Sequence, residues 1–530
     1  MTGDQLYRDF LNHCQAKWKA SAKRSSEDGI VLGMLSQWVP RTYSSGYLAN
    51  YLAERLDAQI EAFDFSGAEN QYFYDVYEAM GCRRLINFDN ASSLFPDLEA
   101  TCRRELSKIR GFRTKQEILN LEFDGLYVGD LIYNSHCRYY VEATVDPSDP
   151  RFQFLLLQSL MIHHLLGHYF THFPVKYLIT EDVGYIRGGI PCRLAHRHGI
   201  PVITIQRTFR FTFPGIELDE NGEGWNFKSL PCNRYRSIFE SLDEKEQAEA
   251  RAKGRETLEA RLQGKPIAGV MAAATGFHEK EDEPVLEDSG RPRIVVFPHD
   301  FCDAIHKYGE MIYDDYLDWL EELLRLSSQT KFDWYVKPHP NSSTHSEREV
   351  LNRQIIEMLA KKYPHARFLE PTVSNRNLIE ERIDAAFTVS GDVAHEFAYL
   401  GIPVVTAGNN PHMTFDFNIH CRSASEFEEA VIHADQLHVD IDRDQVEAFS
   451  YMHYVHFFEE WTTRVAHEPK LSFLTKKRKL SDPETVNMMR AIVEGDSAEA
   501  DRILENYFDA CFDCDKRRFS IQERPGRVFS

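Results

Sequence analysis

Trp334-Tyr335-Val336-Lys337-Pro338-His339-Pro340 is the most informative segment for the fold, because a short apolar run ends in Lys337 and is followed by a histidine with proline on both sides. Proline fixes its own φ and restricts the residue before it, so the strand stops here in a stiff turn. Helical patterns separate this run from four similar ones, which together predict a parallel sheet. The four are Ile294 to Phe297, Arg367 to Leu369, Ala385 to Val389 and Pro403 to Thr406.

The first half of the chain alternates in the same way. Its predicted strands are Gly29 to Leu35, Gln59 to Phe65, Arg84 to Phe88, Leu126 to Val128, Tyr177 to Thr180 and Pro201 to Ile205. We therefore predict an α/β protein in which two Rossmann-like domains face each other across a cleft, followed by a C-terminal helical extension. The predicted bounds are residues 1–275 for the first domain, 276–292 for an acidic linker, 293–445 for the second domain and 446–530 for a helical tail that packs back on the first half.

Two further segments have the composition or the spacing of helices. Ser241 to Gly264 is dense in Glu, Lys, Arg and Ala, which predicts a charged, exposed helix. Tyr308 to Leu326 has apolar residues at helical spacing, which predicts a crossover helix that contains Asp314 and Asp315. Because those two aspartates fall inside a helical pattern, they are poor candidates for a metal-binding loop.

Composition excludes some classes of partner. The 530 residues carry 82 acidic and 61 basic side chains, a formal charge of −21. Such an excess of negative charge argues against nonspecific electrostatic binding to nucleic acid or to an anionic membrane. The sequence has no apolar run long enough to span a bilayer. We expect a cytoplasmic protein that associates with the inner face of the membrane at most peripherally.

Lys337 and His339 are the first candidates for chemistry, because the stiff turn presents both at the end of a strand. In an open α/β sheet, ligands bind at the carboxyl ends of the strands. A lysine and an imidazole there suit a phosphate, since both stabilise negative charge that develops on a departing nucleotide. The alternative is an ordinary surface turn.

Ser390-Gly391-Asp392-Val393-Ala394-His395-Glu396 follows another apolar run and predicts a strand, a turn and a helix. The backbone N–H groups at Ser390 and Gly391 could hold an anion or a hydroxyl. Asp392 belongs either to this site or only to the helix N-cap. Glu396, one turn into the helix, could accept hydrogen bonds from a sugar hydroxyl. The segment does not match the dinucleotide-binding GxGxxG pattern, which disfavours a dehydrogenase.

Further acidic candidates follow three other predicted strands. His299, Asp300 and Asp303 come after Phe297 and would lie at the same sheet edge, where an aspartate could act as general base or cap the next helix. In the first half, Asp130 and Asp182 could face the cleft from the acceptor side, although capping explains them equally well.

The sequence predicts no metal and no bound cofactor. His163, His164 and His168 lie on one helical stretch, and one pair has the i, i+4 spacing of a metal site. No glutamate stands in an HExxH register beside them, so metal binding is the weaker interpretation.

The segments VVFPHDFCDAIHKYGEMIYDDYLDWL, VKPHPN and VSGDVAHEFAYLGIPVV resemble the donor domain of GT-B glycosyltransferases that build bacterial capsule and lipopolysaccharide, relatives of the Kdo, sialyl and polyol-phosphate transferases. The resemblance covers residues 290–435. It implies that His339 contacts the donor phosphate and that Glu396 contacts the nucleotide. The Asp/Glu-Asp/Glu-Gly motif of the sialyltransferase type is missing, which leaves the catalytic base open.

The leading hypothesis is a metal-independent glycosyltransferase that moves a sugar from a nucleotide-sugar donor onto a glycan or lipid-linked glycan acceptor. Lys337, His339 and Gly391 would stabilise the leaving phosphate, and Asp300 or Asp303 would activate the acceptor. Two alternatives share the fold: a nonhydrolysing nucleotide-sugar epimerase, which needs no acceptor, and a glycan-binding protein without catalysis. We expect no nucleic-acid partner.

Overall fold

The computed structural model describes residues 3–18, 29–34, 39–65, 71–109, 111–180, 182–207, 210–212, 215–217, 226–228, 232–265, 276–279, 281, 283–339, 346–456 and 493. Its strands are β1 Ile30–Met34, β2 Gln59–Asp64, β3 Cys82–Asn87, β4 Glu122–Phe123, β5 Leu126–Tyr127, β6 Val175–Thr180, β7 Val202–Arg207, β8 Arg210–Thr212, β9 Gly215–Glu217, β10 Asn226–Lys228, β11 Arg293–Val296, β12 Asp333–Val336, β13 Arg367–Phe368, β14 Ala385–Phe387, β15 Val404–Ala407 and β16 Ile419–Cys421.

The α-helices are α1 Gly3–Lys17, α2 Val39–Arg55, α3 Gln71–Ala79, α4 Leu98–Leu106, α5 Lys115–Leu119, α6 Gly129–Tyr140, α7 Arg151–His172, α8 Ile186–Arg197, α9 Tyr235–Glu240, α10 Glu244–Leu262, α11 Tyr316–Ser327, α12 Glu347–Lys362, α13 Asn375–Glu380, α14 Val393–Tyr399, α15 Ala424–Ile432 and α16 Arg443–Tyr451. Short 3₁₀ turns lie at Ala91–Ser93, Cys232–Arg234 and Ala434–Gln436, and a π-helical turn at Met452–His456 follows α16.

The second half of the chain forms a six-stranded sheet in the order β13-β12-β11-β14-β15-β16. All its neighbouring strands are parallel. Numbered along the chain this is the order 3-2-1-4-5-6 of the Rossmann fold, whose ligands bind where the strand order reverses. That reversal lies between β11 and β14, so the loops after these two strands and after β12 border the expected binding crevice.

The first half repeats the arrangement. Its sheet has the order β3-β2-β1-β6-β7-β8, with β8 antiparallel at the edge. The chain therefore contains two Rossmann-like units, as the strand pattern predicts. One strand prediction is wrong in its context: Leu126–Tyr127 pairs only with β4 in a two-stranded hairpin and does not join the main sheet.

The contact between the halves centres on Asp315, which is fully buried. Its carboxylate accepts hydrogen bonds from the Tyr133 hydroxyl at 2.6 Å and from Thr144, and it pairs with the Lys115 ammonium at 3.0 Å. Asp315 also caps α11 by accepting from the N–H of Asp318. The prediction of a helix from Tyr308 is thus wrong: residues 308–315 form turns and bends, and the two aspartates precede the helix.

We expect Asp315→Asn to lower the free energy of unfolding by about 2 kcal/mol, because a hydrogen bond to a charged group contributes on this order. Asparagine keeps the cap but removes the charge that faces Lys115. Denaturant unfolding measures the change. Asp314→Asn is the matched control, since the Asp314 side chain accepts from the Gln116 side chain on the outer side of the contact. Equal effects of the two variants would contradict the role given to Asp315.

The charged segment from Ser241 forms α10, but it is not exposed all round. A capping box between Asp243 and Glu246 starts the helix. One face is buried against α16, and its residues recur at helical spacing: Ala250, Gly254, Thr257, Leu258 and Arg261. At Gly254 a Cβ would lie 2.0 Å from the backbone oxygen of Glu447, so only glycine lets the two helices approach this closely.

This packing joins α10, which precedes the predicted linker, to the second half of the chain. The predicted boundaries at residues 275 and 445 stay a prediction. Of the predicted helical tail, α16 and the π-helical turn are described, and both pack beside α10; Val493 packs on the core of the first half, and the remaining residues lie outside the described ranges. Among the described helices, none is both long and apolar enough to cross a bilayer.

Candidate functional site

The loops after β11, β12 and β14 bring His299, Lys337, His339 and Ser390 to one edge of the second sheet. His299 joins two of these loops, because its Nε2 accepts a hydrogen bond from the Ser390 backbone N–H at 3.0 Å. The ring also stacks on Tyr316 with the centroids 4.7 Å apart. Burial lowers the pKa of His299 to about 3, so the ring is neutral and acts as an acceptor. The neutral His299 ring therefore links the two loops and contributes no charge to the site.

Lys337 is the most unusual cation of the site, because its side chain is 2% exposed. Its backbone N–H continues the sheet by donating to Val296. Burial lowers the pKa of its ammonium to about 8, opposed by the nearby carboxylate of Glu396. Within the described part of the chain, no hydrogen bond or ion pair holds this ammonium. A buried cation of this kind suits an anionic ligand that completes its coordination.

His339 lies beside Lys337, as the motif predicts. Its pKa is lowered, first by burial and then by the charge of Lys337, while Asp392 and Asp303 oppose the shift. Lys307 lies within electrostatic range of both His339 and His299, and it lowers both pKa values. The edge thus has two lysines and a neutral imidazole, a set that favours phosphate oxygens.

The turn between β14 and α14 is held by internal hydrogen bonds. The Gly391 N–H donates to the Thr388 hydroxyl at 3.2 Å, and the Ser390 N–H donates to His299. A Cβ on Gly391 would come 2.8 Å from the same hydroxyl, which requires glycine here. Both N–H groups therefore donate hydrogen bonds within the turn in this structure, and the anion-binding role predicted for them stays a prediction.

Glu396 and Asp392 are joined by a residue that the sequence did not single out. Arg261, at the end of α10, donates through Nε and Nη2 to Oε1 of Glu396 at 2.8 and 2.6 Å. Its Nη2 also donates to Oδ2 of Asp392 at 2.8 Å. Asp392 stands at the N-cap position of α14, but its side chain makes no capping bond. Glu396 is buried near Lys337, and the nucleotide-binding role assigned to it stays a prediction.

Behind this ion pair lies a buried histidine network. His395 contacts His412 at 3.1 Å through Nδ1 and the Tyr454 hydroxyl at 2.9 Å through Nε2. Burial lowers the pKa of His412 to about 3 and that of His395 well below its usual range. Tyr454 also lies under Arg261, whose guanidinium carbon is 5.0 Å from the ring centroid. The network is neutral and fixes the rear wall of the site.

The two aspartates after β11 have different surroundings. Asp300 forms an ion pair with Arg348 and accepts from the Cys302 N–H, and its side chain is mostly buried. Asp303 is half-exposed and meets the first half of the chain: the Tyr185 hydroxyl donates to it at 3.1 Å, and Arg138 lies at 3.5 Å. Of the two aspartates, Asp303 is thus the one that contacts Tyr185 and Arg138 of the first half.

The two acceptor-side candidates of the first half, Asp130 and Asp182, also have different surroundings. Asp130 is 2% exposed and makes a two-pronged ion pair with Arg193 at 2.6 and 2.8 Å. The acceptor-side role predicted for Asp130 stays a prediction. Asp182 is exposed, and its carboxylate accepts from the Gly184 N–H in the loop that precedes Tyr185.

The histidines of α7 have separate partners. His164 contacts Glu105 at 2.7 Å, His168 stacks on His172, and burial lowers the pKa of His163 to about 4. Elsewhere, among the described residues, His136, Glu142 and Asp149 have potential ligand atoms within 4.8 Å of one another. Arg151 pairs with both of those carboxylates, so an ion-pair cluster accounts for this group.

The sequence missed Arg261, Lys307 and Tyr316. Lys307 and Tyr316 lie within the segment that carries the resemblance, where spacing from His299 could have suggested them. No sequence pattern indicated Arg261, because it is one of many charged residues in α10. It becomes part of the site only through the packing of α10 on α16.

Comparison of the sequence with protein-family models and with curated proteins gives no match. Among solved structures, the beta Kdo 2,4 transferase KpsC of Thermosulfurimonas dismutans is 12% identical over 53% of this chain and 79% of its own, with a TM-score of 0.35. A glycosyltransferase from Rickettsia africae is 10% identical over 85% of this chain and 100% of its own, with a TM-score of 0.27.

A UDP-N-acetylglucosamine 2-epimerase is also 10% identical, over 86% of this chain and 98% of its own, with a TM-score of 0.23. The structures to which this chain is similar thus include glycosyltransferases and an epimerase. The assignment of two Rossmann-like units rests on the strand orders of the two sheets.

Proposed function

We propose that this protein is a glycosyltransferase that moves a sugar from a nucleotide-sugar donor onto a bacterial surface polysaccharide, capsule or lipopolysaccharide, in the cytoplasm. The acceptor is a glycan or a lipid-linked glycan. The observation that carries the proposal is Lys337: a buried ammonium, unbonded among the described residues, lies beside His339 and Glu396 at the crevice of a Rossmann-type sheet.

In this proposal the donor phosphate completes the surroundings of Lys337 and accepts a hydrogen bond from His339. As the bond between sugar and phosphate breaks, charge develops on the phosphate oxygen and both contacts strengthen. Glu396 accepts hydrogen bonds from the ribose. Asp303 removes the proton of the acceptor hydroxyl, and Tyr185 and Arg138 orient its carboxylate from the first half.

Nucleotide binding tests the proposal directly. CMP, UDP, GDP and CDP, each alone, are titrated into the wild-type protein by isothermal titration calorimetry, with thermal unfolding as a second readout. A ligand that binds only the native state raises its apparent stability by RT ln(1 + [L]/Kd). We expect one nucleotide to bind clearly more tightly than the others. Absence of binding by all four would contradict the proposal and favour a glycan-binding protein.

The epimerase alternative is separated by product analysis. A transferase consumes the nucleotide sugar only when an acceptor glycan is present. An epimerase converts the nucleotide sugar without an acceptor. Incubation of the matching nucleotide sugar with and without a lipid-linked glycan, followed by mass spectrometry and NMR of the sugar, distinguishes the two reactions.

We predict that transfer activity survives excess EDTA. Lys337 and Lys307 can supply the positive charge that a divalent cation supplies elsewhere, and neutral His339 can add a hydrogen bond from its N–H. The measurement compares initial rates before and after chelation and dialysis. Complete loss of activity that Mg²⁺ or Mn²⁺ restores would show that a metal takes part.

A further inference from the structure

Arg261 reaches the sheet edge that carries Lys337 and His339, although it lies on a helix outside the second sheet. Arg261 is the residue before the last in α10, which precedes the predicted linker in the chain. Its side chain is 5% exposed and hydrogen-bonds to Glu396 of α14. The helix is fixed to α16 by the close approach at Gly254 and by the Arg255–Glu447 ion pair at 2.7 Å. The guanidinium is therefore held by two packed helices and not by a loop.

The contacts of Arg261 with Glu396 are one-sided. Both of its hydrogen bonds to Glu396 fall on Oε1. Within the part of the chain that the structure describes, no hydrogen bond reaches Oε2 of Glu396. Oε1 of Glu396 is thus hydrogen-bonded to Arg261, and Oε2 is available to accept a hydrogen bond from a ligand hydroxyl.

The pairing also controls the charge of Glu396. Burial raises the pKa of this carboxyl, and Arg261 is the largest opposing influence. The other charged or titratable groups that face it are Asp392 on the same helix, Lys337 after β12 and Tyr454 of the π-helical turn. Without Arg261, a buried carboxyl beside Asp392 would favour its neutral form.

We propose that Arg261 is a positioning residue of the donor site, which holds Glu396 by Oε1 and leaves Oε2 to accept from a hydroxyl of the donor nucleotide. The inference rests on the proposed function and deepens it, because it adds a residue of α10 to the donor site. Arg261 acts through Glu396 and does not itself touch the reacting atoms.

The test uses full-length Arg261→Met, Arg261→Lys and the matched control Arg255→Met. Arg255 lies on the same helix and also pairs with a buried carboxylate, that of Glu447, but away from the sheet edge. With the nucleotide that binds the wild type most tightly, we expect Arg261→Met to raise Kd and donor KM by about 10-fold or more, since a hydrogen bond to a charged group corresponds to such a factor. Arg261→Lys should recover part of this loss, and kcat should change less than KM.

The pH profile provides a readout that a merely structural role would not move. In Arg261→Met the pKa of Glu396 rises further, so the carboxylate becomes available to accept hydrogen bonds only at higher pH. Between pH 6 and 7.5 the Kd of the variant should fall as pH rises, more steeply than in the wild type. Lys337, whose pKa of about 8 depends on the Glu396 carboxylate, also titrates in both proteins, and the pH profile of Glu396→Gln gives its separate contribution.

A double variant is needed beside Arg261→Met, because the single substitution leaves the buried carboxylate of Glu396 and the half-exposed carboxylate of Asp392 without their partner. Arg261→Met/Glu396→Gln removes one of these charges, and we expect it to bind nucleotide no more weakly than Glu396→Gln by itself. If the wild type binds nucleotide and Arg261→Met binds as tightly as Arg255→Met, the role of Arg261 is wrong while the proposed function stands. If the double variant loses as much affinity as Arg261→Met and Glu396→Gln lose together, the role given to Arg261 is also wrong. If the wild type binds none of the four nucleotides, both fail.

Discussion

We expect His339→Ala to reduce the proposed sugar transfer by about 100-fold or more, because removing one preorganised donor to a developing charge costs about 3 kcal/mol. His339 follows Lys337 in the turn after β12, and its pKa is lowered by burial and by that lysine. The neutral ring can still donate one N–H to a phosphate oxygen. Because this contact strengthens as the phosphate departs, the loss should fall on kcat more than on donor KM.

Steady-state kinetics with the nucleotide sugar and acceptor measure this change. His433→Ala is the matched control, since His433 is an exposed histidine at the end of α15, away from the sheet edge. Thermal unfolding of both variants checks that the fold is retained. Transfer by His339→Ala within a few-fold of the wild type, in a folded protein, would remove His339 from the leaving-phosphate role.

We expect Asp303→Asn to lower kcat by about 100-fold or more while donor binding changes little, because a positioned base contributes about this much and asparagine keeps the size of the side chain. The structure distinguishes Asp303 from Asp300, which the sequence could not. Arg348 pairs closely with Asp300 and lies 3.9 Å from Asp303, but only Asp303 also meets Tyr185 and Arg138 of the first half. Asp300→Asn should therefore leave kcat close to that of the wild type.

The comparison of the two aspartate variants decides which residue activates the acceptor. Kinetics are measured at saturating donor with the acceptor varied, beside calorimetric titration of the donor nucleotide. If Asp300→Asn gives the larger fall in kcat, the assignment of the base to Asp303 is wrong. If both variants lose donor binding instead of kcat, neither aspartate is the base.

Local sequence patterns were enough to predict the two Rossmann-like sheets and the edge that carries the candidate site. Both follow from local signals: short apolar runs bounded by helical patterns, and prolines that stop β12 directly before Lys337 and His339. Because parallel strands all present their carboxyl ends at one edge, the grouping of His299, Lys337, His339 and Ser390 was predictable from their places after strands.

The partners of the charged side chains, in contrast, became visible only in the three-dimensional fold. Asp130 and Asp300 looked as available as Asp303, but Arg193 and Arg348, distant in sequence, neutralise them. Arg261 reaches Glu396 through the packing of α10 on α16, a contact between residues far apart along the chain. An ion pair of this kind leaves no periodic signal in the sequence, because any of the many charged residues in α10 could have faced solvent, and only the close approach of two helices selects which one is buried.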